Sequence, residues 1–152
     1  MSDYGIGVDF HCKYQRVAWL NRETGETDEA DLRHEDEEEV RKFYEGFPPG
    51  TVVGMEAGGY SWWFGRLLEE LGHEGRIGDP GVIARKRDRR QKNNRRDALH
   101  VRRLIAEGNF PQIWRPSVQQ REQKRVIRYR VKLARERTRG INTLRAQVYN
   151  FN

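Results

Sequence analysis

Cysteine is almost missing from this chain: Cys12 is the only one in 152 residues. That excludes a disulfide framework and a cysteine zinc site. The histidines, His11, His34, His73 and His100, are scattered, with no pair at i and i+4, which argues against a histidine metal centre. There is no glycine-rich phosphate loop ending in Gly-Lys-Ser or Gly-Lys-Thr. Ser61 has no Gly-x-Ser-x-Gly setting and Ser117 follows a proline at a helix N-cap, so no serine nucleophile is evident. No apolar run approaches the roughly 20 residues of a membrane helix. The start, MSDYGIGVDF, lacks the basic and apolar regions of a signal peptide. A soluble, cytoplasmic protein with no membrane partner is expected. Apolar residues make up only 36%, so a core can form but cannot run the whole length.

Acid is scarce in the second half. Residues 84–152 carry 21 Lys and Arg against 5 Asp and Glu, whereas residues 1–83 carry 8 against 18. So basic a block points to a polyanion, most often nucleic acid, with a merely solvated basic surface as the plain alternative.

Hydrophobic spacing gives the order of elements. Two strands cover IGVDFHCKY and QRVAWLN, and a third covers Glu26–Leu32. A helix follows, with Val40, Phe43, Tyr44 and Phe47 on one face, stopped by Pro48-Pro49-Gly50. TVVGMEA is a strand. Tyr60, Trp63, Phe64, Leu67, Leu68 and Leu71 form the stripe of a second helix ended by Gly72, with Trp62 off the stripe. HEGRIGDP is a short strand, and GVIARKRDRRQKNN reads as a partly mobile basic loop. Residues 95–107 form a helix with Ala98, Val101, Leu104 and Ile105 inward. FPQIWRPS is an extended connector, and Trp62 and Trp114 are the candidates for outward contacts. From Ser117 to about Tyr149 runs one long basic helix with a thin seam of Ile127, Val131, Ala134, Ile141, Leu144 and Val148. Such a seam suits a coiled coil and predicts a partner helix. Three antiparallel strands followed by alternating helices and strands predict a mixed five-stranded α/β sheet of the ribonuclease H-like class.

In that fold the first and fourth strands are neighbours about 4.8 Å apart. Asp9 lies near the end of the first and Glu56 near the end of the fourth. Each is an acid in an apolar strand, costly if buried alone. Asp97 would join them from a helix packed on the sheet. Three carboxylates of this kind suit Mg²⁺ or Mn²⁺ and phosphodiester chemistry. Gly54, Gly58 and Gly59 flank Glu56 and would let a substrate approach the backbone. Asn94, three residues before Asp97, reads either as a helix cap or as a further ligand.

Four blocks in order resemble a known family: GVDFHCKYQRVAWLN, MEAGGYSWWFGRLLEELGHE, KNNRRDALHVRRL and NFPQIWRPSVQQREQKRVIRYRVKLARERTRGINTL. They look like the DEDD transposases, insertion-sequence recombinases related to the Piv invertase, whose N-terminal domain is similar to the RuvC resolvase. The resemblance implies metal-dependent DNA cleavage and transfer, with DNA and a structured guide RNA as partners near the nucleoid. It implies that Asp9, Glu56 and Asp97 are metal-ligating acids. The family's third motif usually reads Lys-Thr-Asp-x-x-Asp-Ala; here Asn94 stands where its first acid should be, which removes one negative charge from the site. The implied layout is a RuvC-like domain over 1–110, a connector over 111–116 and the start of a basic coiled coil over 117–152, without the family's serine domain. The basic residues expected on phosphates are Arg85, Lys86, Arg87, Arg89, Arg90, Lys92, Arg95 and Arg96, and on the long helix Arg121, Lys124, Arg125, Arg128, Lys132 and Arg135, with the helix also joining copies of the chain. The alternative is a binding module that holds DNA or RNA without cutting. A kinase-like relative of the same sheet topology would need nucleotide loops that the sequence lacks.

Overall fold

The computed structural model describes residues 3–59, 61–87, 94–114 and 116–151, with the side chains of Asn94, Arg95 and Val118 excepted. Tyr60, Arg89, Arg90, Lys92 and the Asn93 beside it therefore lie outside the described residues. The chain divides into two units, Met1–Trp114 and Arg115–Asn152.

In the first unit, β1 (Tyr4–Phe10), β2 (Tyr14–Asn21) and β3 (Thr27–Arg33) form an antiparallel meander. The turn after β2 is fastened by Asn21, whose side-chain oxygen accepts from Glu23 N at 2.9 Å. Next come α1 (Glu37–Glu45), β4 (Val52–Glu56), α2 (Trp62–Glu70) and β5 (Glu74–Gly78). Asp36 caps α1 by accepting from Glu39 N, and Glu37, Glu38 and Glu39 fill its first turn, where the helix dipole favours acids. Gly72, at a positive φ of 74°, follows α2 in the left-handed turn that stops helices. β4 pairs in parallel with both β1 and β5, giving the sheet order β3-β2-β1-β4-β5. This mixed sheet with flanking helices is the ribonuclease H-like α/β fold expected from the element order.

Side chains alternate across a strand. Ile6, Val8, Val17, Val53 and Met55 therefore share one face, packed with Val40 and Tyr44 of α1 and Phe64, Leu67 and Leu68 of α2. The opposite face carries Gly5, Gly7, Val52 and Gly54. It receives α4 (Asn94–Ala106), whose Val101, Leu104 and Ile105 cluster with Val52 and with Ile83 of α3 (Pro80–Arg85).

α3 corrects the loop expected over GVIARKRDRRQKNN. Asp79 accepts from Val82 N at 2.9 Å, Pro80 sits in the first turn, and Ile83 is fully buried. An Asp-Pro start with one apolar anchor suffices for a six-residue helix held by packing. The connector after α4 is likewise anchored: Gln112 bridges to Gly78, and Ile113 N donates to Ile77 O at 2.8 Å. Trp114 is 65% exposed, whereas Trp62 is half-buried.

The second unit is α5 (Val118–Asn150), 33 residues and about 50 Å long. Ser117 opens it with a capping box, accepting from Gln120 N while the Gln120 side chain accepts from Ser117 N. Among the described residues, no helix is long and apolar enough to cross a membrane.

Candidate active site

Parity along the strands aims the acids. Asp9 follows Gly5 and Gly7 by twos on β1, and Glu56 follows Val52 and Gly54 on β4. Both therefore belong to the face that receives α4. The parallel register runs Gly5–Val52, Ile6–Val53, Gly7–Gly54 and Val8–Met55. Asp9 and Glu56 are the next residues along and end neighbouring strands.

The third acid arrives through a glycine. A Cβ on Gly7 would collide with Arg102 N and Ala98 O and would lie 2.8 Å from Arg102 Cα. No side chain fits there, so α4 rests its backbone directly on β1. Asp97, next to Ala98 in the first turn of α4, is lowered onto the acid end of the sheet and is 5% exposed. Gly54 serves the same packing: its missing Cβ would collide with Ile105 Cδ1 and stand 3.1 Å from Ile105 Cγ1. Gly54 is thus covered by the helix, not open to a substrate, while Gly58 and Gly59 have open space.

A cation already joins two of the acids. Arg87 Nη2 donates to Glu56 Oε1 at 3.0 Å and lies 3.3 Å from Asp97 Oδ1. One nitrogen thus contacts an oxygen of each acid. His11 Nε2 lies 3.1 Å from Asp9 Oδ2, and its ring stacks on Tyr14. Arg16, paired with Asp9 across β1 and β2, turns to Asp31 at 3.1 Å and Glu29 at 3.6 Å.

Burial holds the Glu56 carboxyl above its ordinary value of 4.5; Arg87 opposes the rise, and the nearby charges of Asp97 and Asp9 add to it. A raised acid contributes stability that is complete below the unfolded value and is lost as pH rises through the folded one. In metal-free buffer, Glu56→Gln should therefore melt higher than wild type at neutral pH, and the gap should close below pH 4.5. Equal melting temperatures across that window would show that Glu56 carries no burial penalty.

The donor set fits a hard divalent ion in kind, since it offers carboxylate oxygens at one end of a sheet with more negative charge than one guanidinium offsets. Among the described residues, no three acid, histidine or cysteine side chains are drawn together as a finished metal cage. Asn94 is the first residue of α4, and both readings of its side chain lie outside the described residues.

A family model of transposases, the IS110-type DEDD group, matches residues 6–151. The chain belongs to that family. Two proteins of Sinorhizobium fredii (strain NBRC 101917 / NGR234), both named as transposases, are similar to it. The y4qE protein is 36% identical over 97 residues, 64% of this chain and 23% of the relative. The y4pF/y4sB protein is 29% identical over 113 residues, 74% of this chain and 29% of the relative. The chain thus spans about a quarter of the length of these relatives.

Within this member of the DEDD transposase family the basic residues fall into distinct settings. Arg85 and Lys86 are exposed at the end of α3, and Lys86 Nζ donates to Asn109 O at 2.7 Å. Arg96 is exposed on α4; the Arg95 side chain, Arg89, Arg90 and Lys92 are outside the described residues. On α5, Arg128, Lys132 and Arg135 lie on one face with Ile127, Val131, Glu136 and Arg139. Lys124 and Arg125 are exposed and Arg121 is partly buried. The structure takes Arg87 out of the general basic run and puts it on the acids. Nothing in RKRDRR marks that arginine, because its partners are 31 residues before it and 10 after. His11 beside Asp9 was also missed; its place two residues on, at a hairpin, was the available signal.

Proposed function

We propose that this chain is the RuvC-like catalytic part of a DNA transposase, residues 1–110, joined through 111–116 to the start of a basic coiled coil over 117–152. The observation that supports the reading is the sharing of Arg87 by Glu56 and Asp97, with Asp9 next along β1 beside the end of β4 and α4 held down at Gly7. Asp9, Glu56 and Asp97 would hold Mg²⁺ or Mn²⁺, and Asn94 would add a neutral ligand. When bound, such an ion supplies positive charge to a phosphodiester under attack and to its leaving oxygen. The protein's own part is to fix the acids by strand register, to exclude disorder at Asp97 by helix packing, and to align the phosphates. Arg85, Lys86, Arg95 and Arg96, with Arg89, Arg90 and Lys92, would steady the strand near the acids. The α5 residues Arg121, Lys124, Arg125, Arg128, Lys132 and Arg135 would track a longer stretch of DNA or a guide RNA. The exposed apolar seam of α5 would pair copies of the chain, and the nucleoid is the place for such work.

A second reading has its own support. Asn94 in place of an acid, and a guanidinium on Glu56 and Asp97, suit a module that holds nucleic acid without cutting. A nicking assay on supercoiled DNA with Mg²⁺ or Mn²⁺ separates the two. Metal-dependent nicking that Asp97→Asn abolishes supports the catalytic reading. Tight DNA binding with no nicking at any metal concentration supports the module.

A further inference from the structure

Arg87 is held at its backbone and lightly held at its head. Its backbone N donates to Ala84 O at 3.3 Å, closing the end of α3, and the neighbouring Lys86 is tied to Asn109. Its side chain is only 19% exposed, yet among the described residues the guanidinium shows no two-pronged pair. The same Nη2 serves Glu56 and Asp97, and the buried Nε has no partner among the described residues. Two-pronged arginine–carboxylate pairs are the stronger kind. A single nitrogen shared between two acids holds each of them less firmly than a fork would.

We propose that Arg87 is the resident counter-cation of the acidic site: a positioning residue that keeps Glu56 and Asp97 together before a divalent ion arrives, and that gives them up to that ion. The inference rests on the metal-site reading above. Without Arg87, the two carboxylates that share it would repel each other, as the effect of Asp97's charge on Glu56 shows, and Asp97, 7% exposed at its side chain, would be stranded in a poorly solvated place. With Arg87 in place, an arriving dication must displace a positive charge from its own ligands. The displaced guanidinium remains tethered beside the site, where its planar fork matches a phosphate. A phosphate that engages Arg87 frees both acids, so phosphate binding and metal binding help each other, and by linkage each strengthens the other equally.

Calorimetry of Mn²⁺ binding to wild type and Arg87→Gln tests this, together with melting in metal-free buffer. Arg87→Gln should melt lower without metal and bind Mn²⁺ roughly tenfold tighter, because one positive charge has left the ligand set. Unchanged or weaker Mn²⁺ binding by a folded Arg87→Gln overturns the exchange. If neither protein binds Mn²⁺, the metal-site reading itself fails and takes the exchange with it. Should Arg87→Gln not fold, wild type answers alone: in protein labelled with ¹⁵N-arginine, Mg²⁺ should move the Arg87 side-chain signal, identified through its loss in Arg87→Lys. A signal that stays fixed while Mg²⁺ binds overturns the proposal.

Discussion

Gly7→Ala should lower the melting temperature by roughly 6–12 °C, the size expected for about 3 kcal/mol in a chain of this length. The added methyl would meet the backbone of α4 at Arg102 N and Ala98 O, not the end of a flexible side chain. Neither β1, paired on both sides, nor α4, anchored by Val101, Leu104 and Ile105, can yield without opening the second core cluster. Gly5→Ala is the control. Its methyl would face Ile105 Cγ2 at 3.4 Å, an ordinary contact, so its cost should be small. The damage should also reach the acids, since lifting α4 lifts Asp97. Thermal melts of the two variants decide the matter: comparable stability would show that the close approach at Gly7 is not what seats the helix.

Replacing Arg128, Lys132 and Arg135 together by Ala should make DNA binding much less sensitive to salt. Each phosphate neutralised on duplex DNA contributes about 0.9 to the slope of log affinity against log salt, so removing these three cations should flatten it by roughly 2.7. The three residues share one face of α5, which allows one backbone segment to meet all of them. Lys132 also has Glu136 at 3.8 Å, an exposed pair whose loss costs the helix little. Binding isotherms at several salt concentrations give the slope. No change would place the phosphate grip elsewhere.

Most of the architecture was legible because it repeats locally. The apolar runs IGVDF and VVGME and the helical stripe from Trp63 to Leu71 each show within a dozen residues. Their order then narrows the fold to one sheet topology, and that topology alone sets Asp9 beside Glu56. What stayed hidden depends on distant partners. α3 is too short to show a period and has a single buried anchor, Ile83. Gly54 looked like an opening for substrate because its filler, Ile105, comes from a helix 51 residues later. Gly7 gave no sign that it carries α4. Arg87 stood among equals in a basic run until its chain position after α3 brought it to the acids.

The central claim is that Asp9, Glu56 and Asp97 form one ion-binding site, with Asn94 as a weakened member. Calorimetry with Mn²⁺ on wild type, Asp9→Ala and Asn94→Asp tests it most directly. Asp9→Ala should lose most of the binding. Asn94→Asp should bind more tightly than wild type, because it restores a charge three residues before Asp97, whereas a position that merely caps the helix would treat Asp and Asn alike. Equal Mn²⁺ affinity in all three proteins would contradict the account, leaving the acids as neighbours in the fold with no shared ion.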